Sequence, residues 1–530
     1  MSGHADTFVR DNLPPRDQWP EFTFTLPALR FPERFNASSI LDQAIQNKLG
    51  GNNAVLFSSA TLTYDALLQE ACRIAHVLTH DFGLVPGNRV LIHASNTRLS
   101  IAVWWGVLRA GGVAVGTMPM LRPHELAVIL NKAQISHAIV DSHRAAELEQ
   151  ARADAPALKH IIPTDDLERR MANAPGDFPA VATAVDDPAL IAFTSGTTGT
   201  PKGCVHFHRD IAAMAETFSR QVLQPKPSDV LIGTPPLAFT FGLGAGVVFP
   251  ASVGAATVVC DKPGFDVLAD TIEKHKATTL FTSPTGYRAL MKQDLGKLAS
   301  LHTCVSAGEH LPRATSDQWF ERTGIRIIDG IGSTEMIHIF VSARGDDIRP
   351  GATGKAVPGY EATLFDANDT PFDGEGEGRL AIRGPTGCRY LADARQRNYV
   401  VNGWNVTGDI YRRDADGYFW YVSRADDMII SSGYNIGAPE VENALLTHDA
   451  VAECAVVGAP DEERGAIVKA FVVLKPEAQA TDAMVRALQD HVKQTIAPYK
   501  YPRAIAFVGQ LPKTHTGKVQ RFLLRDGGGA

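Results

Sequence analysis

The stretch TSGTTGTPKG, residues 194–203, follows the apolar run Ala189-Leu190-Ile191-Ala192-Phe193. Its glycines let backbone N–H groups approach an anion, its threonines and Ser195 add hydroxyl donors, and Lys202 adds charge. A Walker loop needs GxxxxGK followed by Ser or Thr. Here Pro201 precedes Lys202 and Gly203 follows it, so that reading fails. A mobile Gly/Ser/Thr hairpin is the bland alternative. The order of the residues, directly after an apolar strand, favours a phosphate cradle.

Outward from this loop the chain alternates helices with short apolar strands, which predicts α/β layering. Before it, residues 64–79 and 97–109 read as helices, and Arg89-Val90-Leu91-Ile92-His93 and Ala138-Ile139-Val140 as strands. The segment 155–163 reads as a connection ending in a further strand. Residues 166–187, rich in Ala, Pro and Asp, read as a linker. A second α/β unit is expected over 188–342, with strands at 190–193, 230–232, 256–259, 279–282, 303–306 and 325–328 and a helix at 267–275. Beyond Arg349 short strands with Gly/Asp turns predict a small β-barrel. After Arg424-Ala425-Asp426-Asp427 the last hundred or so residues have the size of an independent domain. Helices are expected there at 439–447 and 481–494, and strands at 452–457 and 468–473.

At 530 residues the chain exceeds what one core supports, so at least two domains are expected. A composition of 45% hydrophobic and 21% charged residues is that of a soluble globular protein. A net charge of -7 without a basic tract gives no reason to expect nucleic acid. Six cysteines without metal-ligand spacing indicate reduced thiols and a cytoplasmic location. Residues 1–20 lack the apolar core of a signal peptide. The apolar stretch 101–120 contains Arg109, Gly111 and Gly112, so it reads as a buried helix running into a strand rather than a membrane span.

Four further motifs follow the loop in order: Ile331-Gly332-Ser333-Thr334-Glu335, Trp404-Asn405-Val406-Thr407-Gly408-Asp409, Ser423-Arg424-Ala425-Asp426-Asp427, and Leu511-Pro512-Lys513-Thr514-His515-Thr516-Gly517-Lys518-Val519-Gln520-Arg521. Alone, Glu335 reads equally well as a buried helix-cap glutamate, Arg424 and Asp426 as an exposed ion pair, and Lys518 as a solvated lysine. Together with TSGTTGTPKG, these motifs resemble those of the adenylate-forming enzymes: acyl-CoA synthetases, peptide-synthetase adenylation domains and firefly luciferases. The resemblance implies an N-terminal adenylation domain, 1–425, of two α/β subdomains and a β-barrel. It implies a mobile α+β C-terminal domain, 426–530, hinged near Asp426. Thr194, Ser195, Gly196, Thr197, Thr198, Gly199 and Lys202 would hold the β- and γ-phosphates of ATP. Thr334 and Glu335 would contact the phosphates and the Mg2+ of MgATP. Gly308, Glu309, Asp329, Gly330, Ile331, Gly332 and Ser333 would complete the nucleotide site, with Ile331 where the family has an aromatic residue. Asp409 would take the ribose hydroxyls, an assignment that suits an aspartate at a strand end, and Arg424 the ribose and phosphate. Lys518 would bridge the substrate carboxylate and the α-phosphate, and Ser432, Gly433 and Tyr434 would guide CoA.

Residues 236–244 contain no acidic side chain to pair with an amino group, which counts against amino-acid activation. Phe239 and Phe241 suit a short flat slot better than a long acyl tunnel. The run from Asp329 to Phe340 is similar to that of benzoate-CoA ligases and their 2-aminobenzoate relatives. By that resemblance Ala307, Gly332, His338 and Ile339 line a ring pocket with Phe239, Thr240, Phe241 and Gly242. Thr240 stands where benzoate enzymes tend to have alanine, and residues 6–20 also look like the 2-aminobenzoate branch. The expected activity is that of an ATP-dependent aryl-CoA ligase acting on 2-aminobenzoate, as a monomer or homodimer. Ligation of benzoate or another substituted benzoate, loading of a carrier protein, and an inactive binding protein are the alternatives.

Overall fold

Pro188–Thr194 forms a strand whose first five residues are buried, which accounts for its unbroken apolar run. In the computed structural model it pairs in parallel with Val113–Gly116 and antiparallel with Lys202–Phe207, so the opening motif joins the two strands of a hairpin. The structure describes residues 1–57, 60–194, 201–260, 264–425, 428–431, 434–461, 465–496, 498–514 and 517–525. Among these, a six-stranded sheet runs in the order His160–Pro163, His137–Val140, Arg89–His93, Val113–Gly116, Pro188–Thr194, Lys202–Phe207.

A nine-stranded sheet stands beside it. Its parallel centre comprises Ile327–Gly332, Thr303–Ser306, Thr279–Thr282, Val230–Gly233, Ala256–Val258 and Asn53–Phe57. Ala60–Thr63 closes one edge; Ile339–Ser342 and Lys355–Ala356 close the other, all antiparallel. The two α/β units are therefore not consecutive in the chain, as the sequence pattern implies. Asn53–Phe57 crosses into the second sheet and Pro188–Thr194 returns to the first. Strand patterning reports burial, not the identity of the partner strand, and it misplaces the boundary for that reason. The expected linker is corrected in part: Thr164–Met171 is a helix that buries Leu167 and Met171.

Helices Tyr64–His76 and Arg98–Arg109 pack into the largest core cluster, which takes in Trp104 and Trp105. Thr63 and Thr97 cap them, accepting from the Ala66 and Ser100 N–H groups. Arg98–Arg109 is buried over nearly its whole surface, and Val113–Gly116 follows it, as the apolar stretch predicts. Arg109 is neutralised by Asp42 at 2.8 Å. No helix among the described residues is long and apolar enough to cross a membrane.

Where the turn-rich texture predicts a barrel, a six-stranded antiparallel sheet is found, with Gly376–Arg383 and Trp404–Arg413 at its centre and Phe419–Arg424 on the latter. The C-terminal stretch pairs Met428–Ser431 with Tyr434–Gly437, then packs helices Ala438–Leu446 and Asp482–Thr495 with the strands Val451–Asp461, Gly465–Leu474 and Ala504–Phe507 around a cluster of its own.

Candidate active site

The C-terminal ends of the parallel strands carry the first two motifs and residues 307–309, where an open α/β sheet leaves room for ligands. Thr303–Ser306 leads into Ala307, Gly308 and Glu309; Gly308 has φ 87° and open space where a Cβ would stand. Ile327–Gly332 brings Asp329, Gly330, Ile331 and Gly332 alongside. One cleft is lined by Gly308, Glu309, Asp329–Gly332, Asp409, Arg424 and Lys518. Five sequence segments, including the C-terminal one, thus meet as their motifs imply.

Asp409 lies within Trp404–Arg413, beside a bulge at Ile410/Tyr411, and not at a strand end as first read. It faces Arg424 on the neighbouring strand, Oδ1 to Nη1 3.5 Å. A Cβ on Gly408 would stand 2.6 Å from Arg424 Nη2, so a larger residue there would push the guanidinium aside. Asp329 is half-buried, with Oδ1 shielded from solvent and unpartnered; the desolvation pushes its pKa up to about 8, against the opposing Gly330 N–H. Burial also raises the Glu309 carboxyl. Thr285 donates to Glu309 at 3.1 Å, and Arg288 donates to Thr285 at 2.9 Å. The Lys518 turn leans on this pair, since a Cβ on Gly517 would lie 3.4 Å from Thr285 Cγ2 and 3.7 Å from Glu309 Oε1. Thr514 ties the turn, its N–H donating to the Lys518 carbonyl at 2.7 Å.

Three segments converge at the phosphate end. Thr194 ends its strand with a buried, unpartnered Oγ1, and Lys202 sits opposite it in register. Glu335 lies in the single 3-10 turn Thr334–Met336, capped by Ser333. Glu335 Oε1 accepts from the Tyr390 hydroxyl at 2.5 Å, Tyr390 accepts from Lys202 Nζ at 2.9 Å, and Nζ is 3.7 Å from Oε1. His206 Nε2 donates to the Thr334 carbonyl at 2.7 Å, and Tyr399 is hydrogen-bonded to Ser333 Oγ at 3.1 Å. Among the described residues no group of three or more His, Cys, Asp or Glu side chains could hold a metal. One buried carboxylate beside Lys202 would fit Mg2+ if phosphate oxygens and waters completed its shell.

Ile337 follows with φ 68°, a strained value for a β-branched residue, and turns the chain from Glu335 to His338. His338 is buried against Phe249, Phe218 and Phe241, at ring-centroid distances of 4.6, 5.3 and 5.7 Å. Neither ring nitrogen completes a hydrogen bond. Burial lowers its pKa to about 3, with the Phe241 backbone opposing, so the imidazole is neutral. Gly244 opens a π-helical segment after Thr240–Leu243, and a Cβ there would lie 2.6 Å from the His338 ring. Gly242 packs as tightly, on the Pro236 carbonyl. Thr240 is buried and Phe239 is 36% exposed. Ala307 and Ile339 are buried on the adjoining strands. The cleft residues reach Gly308 and Gly332 but not Phe239, Thr240, Phe241 or His338.

Ser195, Gly196, Thr197, Thr198, Gly199, Asp426, Ser432 and Gly433 lie outside the described residues. Tyr434 starts the strand Tyr434–Gly437.

The AMP-binding enzyme family matches residues 41–390, and the C-terminal domain of the AMP-binding enzymes matches residues 440–518. The chain belongs to the AMP-binding enzymes. It is 35% identical to the benzoate–CoA ligase of Thauera aromatica, over 95% of this chain and 98% of that one. It is similar to the crystal structure of the anthranilate CoA ligase AuaEII in complex with anthranoyl-AMP. The TM-score is 0.90 at 35% identity, covering 95% of this chain and 99% of that one. A benzoate CoA ligase from Burkholderia xenovorans superposes with TM-score 0.85 at 33% identity, covering 93% and 100%. Within this AMP-binding fold, sequence reasoning missed Tyr390, Tyr399, His206 and Thr285. Each acts through a neighbour rather than from a motif. Asn96, whose Oδ1 accepts from the Leu237 N–H at 3.0 Å and anchors the 236–244 segment, escaped for the same reason.

Proposed function

We propose that the protein is an AMP-forming aryl-CoA ligase whose preferred acid is 2-aminobenzoate. The observation that carries the choice of acid is His338: a neutral imidazole buried among phenylalanines, neither nitrogen making a well-aligned hydrogen bond and the Phe241 backbone the one polar group close enough to oppose the burial. Leaving such atoms unsatisfied is costly, and a polar ring substituent offers them a partner that bare benzoate lacks. The Thr240 hydroxyl, beside Phe241 at the start of the same short helix, supports the same reading.

The carboxylate oxygen attacks the α-phosphorus of ATP, the bond to the β-phosphate oxygen breaks, and pyrophosphate leaves. The thiol sulfur of CoA then attacks the acyl carbon of the adenylate, AMP departs, and the thiol proton is lost to solvent. The 194–203 loop and Lys202 would hold the phosphates that leave, and Asp409 and Arg424 the ribose. Lys518, in the same cleft, would neutralise the carboxylate and α-phosphate as they approach. Glu335 would hold magnesium, which supplies charge neutralisation on the phosphates. For the second step the segment from Asp426 onward would turn as a unit, 426–530, withdrawing Lys518 and presenting Gly433. Its glycine would let the pantetheine arm pass close to the backbone.

The test is a panel of acids with MgATP and CoA, from benzoate through its ortho-substituted forms to short fatty acids, with thioester identified by mass. The highest kcat/KM is expected with 2-aminobenzoate. Preference for benzoate would reassign the acid; formation of thioester on a carrier protein but not on CoA would reassign the acceptor.

A further inference from the structure

Tyr390 belongs to none of the five motifs, yet its hydroxyl is the point where Lys202 and Glu335 meet. We propose that Tyr390 is a positioning residue: a neutral spacer that holds the Lys202–Glu335 ion pair open, short of hydrogen-bonding contact, leaving the lysine to phosphate and the carboxylate to magnesium. The proposal rests on the reading of Glu335 as the metal-holding carboxylate.

The geometry uses both faces of the phenol. Its proton goes to Glu335 Oε1 at 2.5 Å and a lone pair accepts from Lys202 Nζ at 2.9 Å, while the two charged atoms stay 3.7 Å apart. The Lys202 and Glu335 side chains are only 22% and 10% exposed, so their attraction is poorly screened, and an unspaced pair would have to be broken when MgATP binds. A phenol is suited to the task because it offers one donor and an acceptor without a charge. The ring cannot swing away. It is fully buried, its backbone N–H donates to Gln396 Oε1 at 2.9 Å, and it packs edge-on against Tyr399 at 6.0 Å and against Cys204 and Cys388.

The experiment measures, on the full chain without turnover, the Mn2+ concentration needed for half-maximal binding of α,β-methylene-ATP. Tyr390→Phe should raise it about ten-fold, the usual size of effect when a group supporting a metal ligand is lost. Glu335→Gln should raise it further, and Tyr399→Phe, which keeps the ring against Tyr390 and loses only the hydroxyl contact to Ser333, should leave it near wild type. In a Lys202→Met background, Tyr390→Phe should no longer change the Mn2+ requirement, because no cation is left to collapse onto Glu335. A merely structural tyrosine would not show that dependence on the lysine. An unchanged requirement in Glu335→Gln would overturn the metal reading itself. A changed requirement there, but none in Tyr390→Phe, would overturn the spacer alone. Where Tyr390→Phe does not fold, Lys202→Met decides: it should weaken analogue binding without lowering the Mn2+ requirement. A lowered requirement would mean that the lysine already occupies the carboxylate, and would contradict the proposal.

Discussion

The two ends of the site treat their polar atoms in opposite ways. At the proposed phosphate end most are tied within the protein, Thr194 Oγ1 excepted: Glu335 to Tyr390, Tyr390 to Lys202, Thr334 to His206, Ser333 to Tyr399. At the ring end His338, and the Ser306 hydroxyl on the strand before Ala307, are buried without partners. Phosphates arrive with charge of their own, so the groups that receive them can be held ready by interactions that exchange for stronger ones. A ring arrives with little to offer, and a buried polar atom left open for it becomes a test of its substituent. On the proposed function, the phosphate end would therefore fix the reaction, and the ring end the acid.

Substitutions should separate these two properties, the largest effect first. Lys518→Ala should slow adenylate formation by about a hundred-fold or more, since a charge is lost from the transition state. Thioester formation from synthetic acyl adenylate and CoA should survive, and equal loss of both half-reactions would contradict the assignment. Gly244→Ala sets a methyl group 2.6 Å from the His338 ring. The overpacking, of about 1–3 kcal/mol, should fall on kcat/KM for the acid and spare the KM for ATP. Thr240→Ala should shift the 2-aminobenzoate-to-benzoate ratio of kcat/KM by about ten-fold towards benzoate, the worth of one hydrogen bond. An unchanged ratio would remove Thr240 from the choice of acid.

The last effect concerns stability rather than rate. Asp329 titrates near pH 8 in the folded chain against a reference of 3.8, so the native state holds the proton longer than the unfolded state. Its contribution is complete below 3.8 and is lost as pH rises towards 8, at no more than about 1.4 kcal/mol per pH unit. Asp329→Asn stays neutral and should lose less stability than the parent over that range. Parallel unfolding curves would place the proton elsewhere.

The phosphate end was legible in the sequence because phosphate chemistry demands hydroxyls, glycines, a lysine and a carboxylate, which stand out against an apolar strand. Thr194 and Lys202 stand out in that way, whereas Glu335, Asp409, Arg424 and Lys518 were singled out through the resemblance of their motifs. Tyr390 and His206 were not, since a buried tyrosine and a histidine in a strand look like core until their partners, 55 and 128 residues away, are known. The ring end was legible only through resemblance: Phe241, Thr240 and His338 carry no motif chemistry, and the closeness of Gly244 to His338 depends on a π-helical segment that periodicity does not reveal. Elements were read well and sheet membership poorly, because Asn53–Phe57 and Pro188–Thr194 have the same apolar texture in either sheet.

The most direct test of the central claim is isotope exchange between pyrophosphate and ATP with each acid in turn and CoA left out. The account predicts exchange that requires an aromatic acid, is fastest with 2-aminobenzoate relative to its KM, and needs no CoA. Exchange that is absent with every aromatic acid, or that appears only when CoA is added, would contradict it.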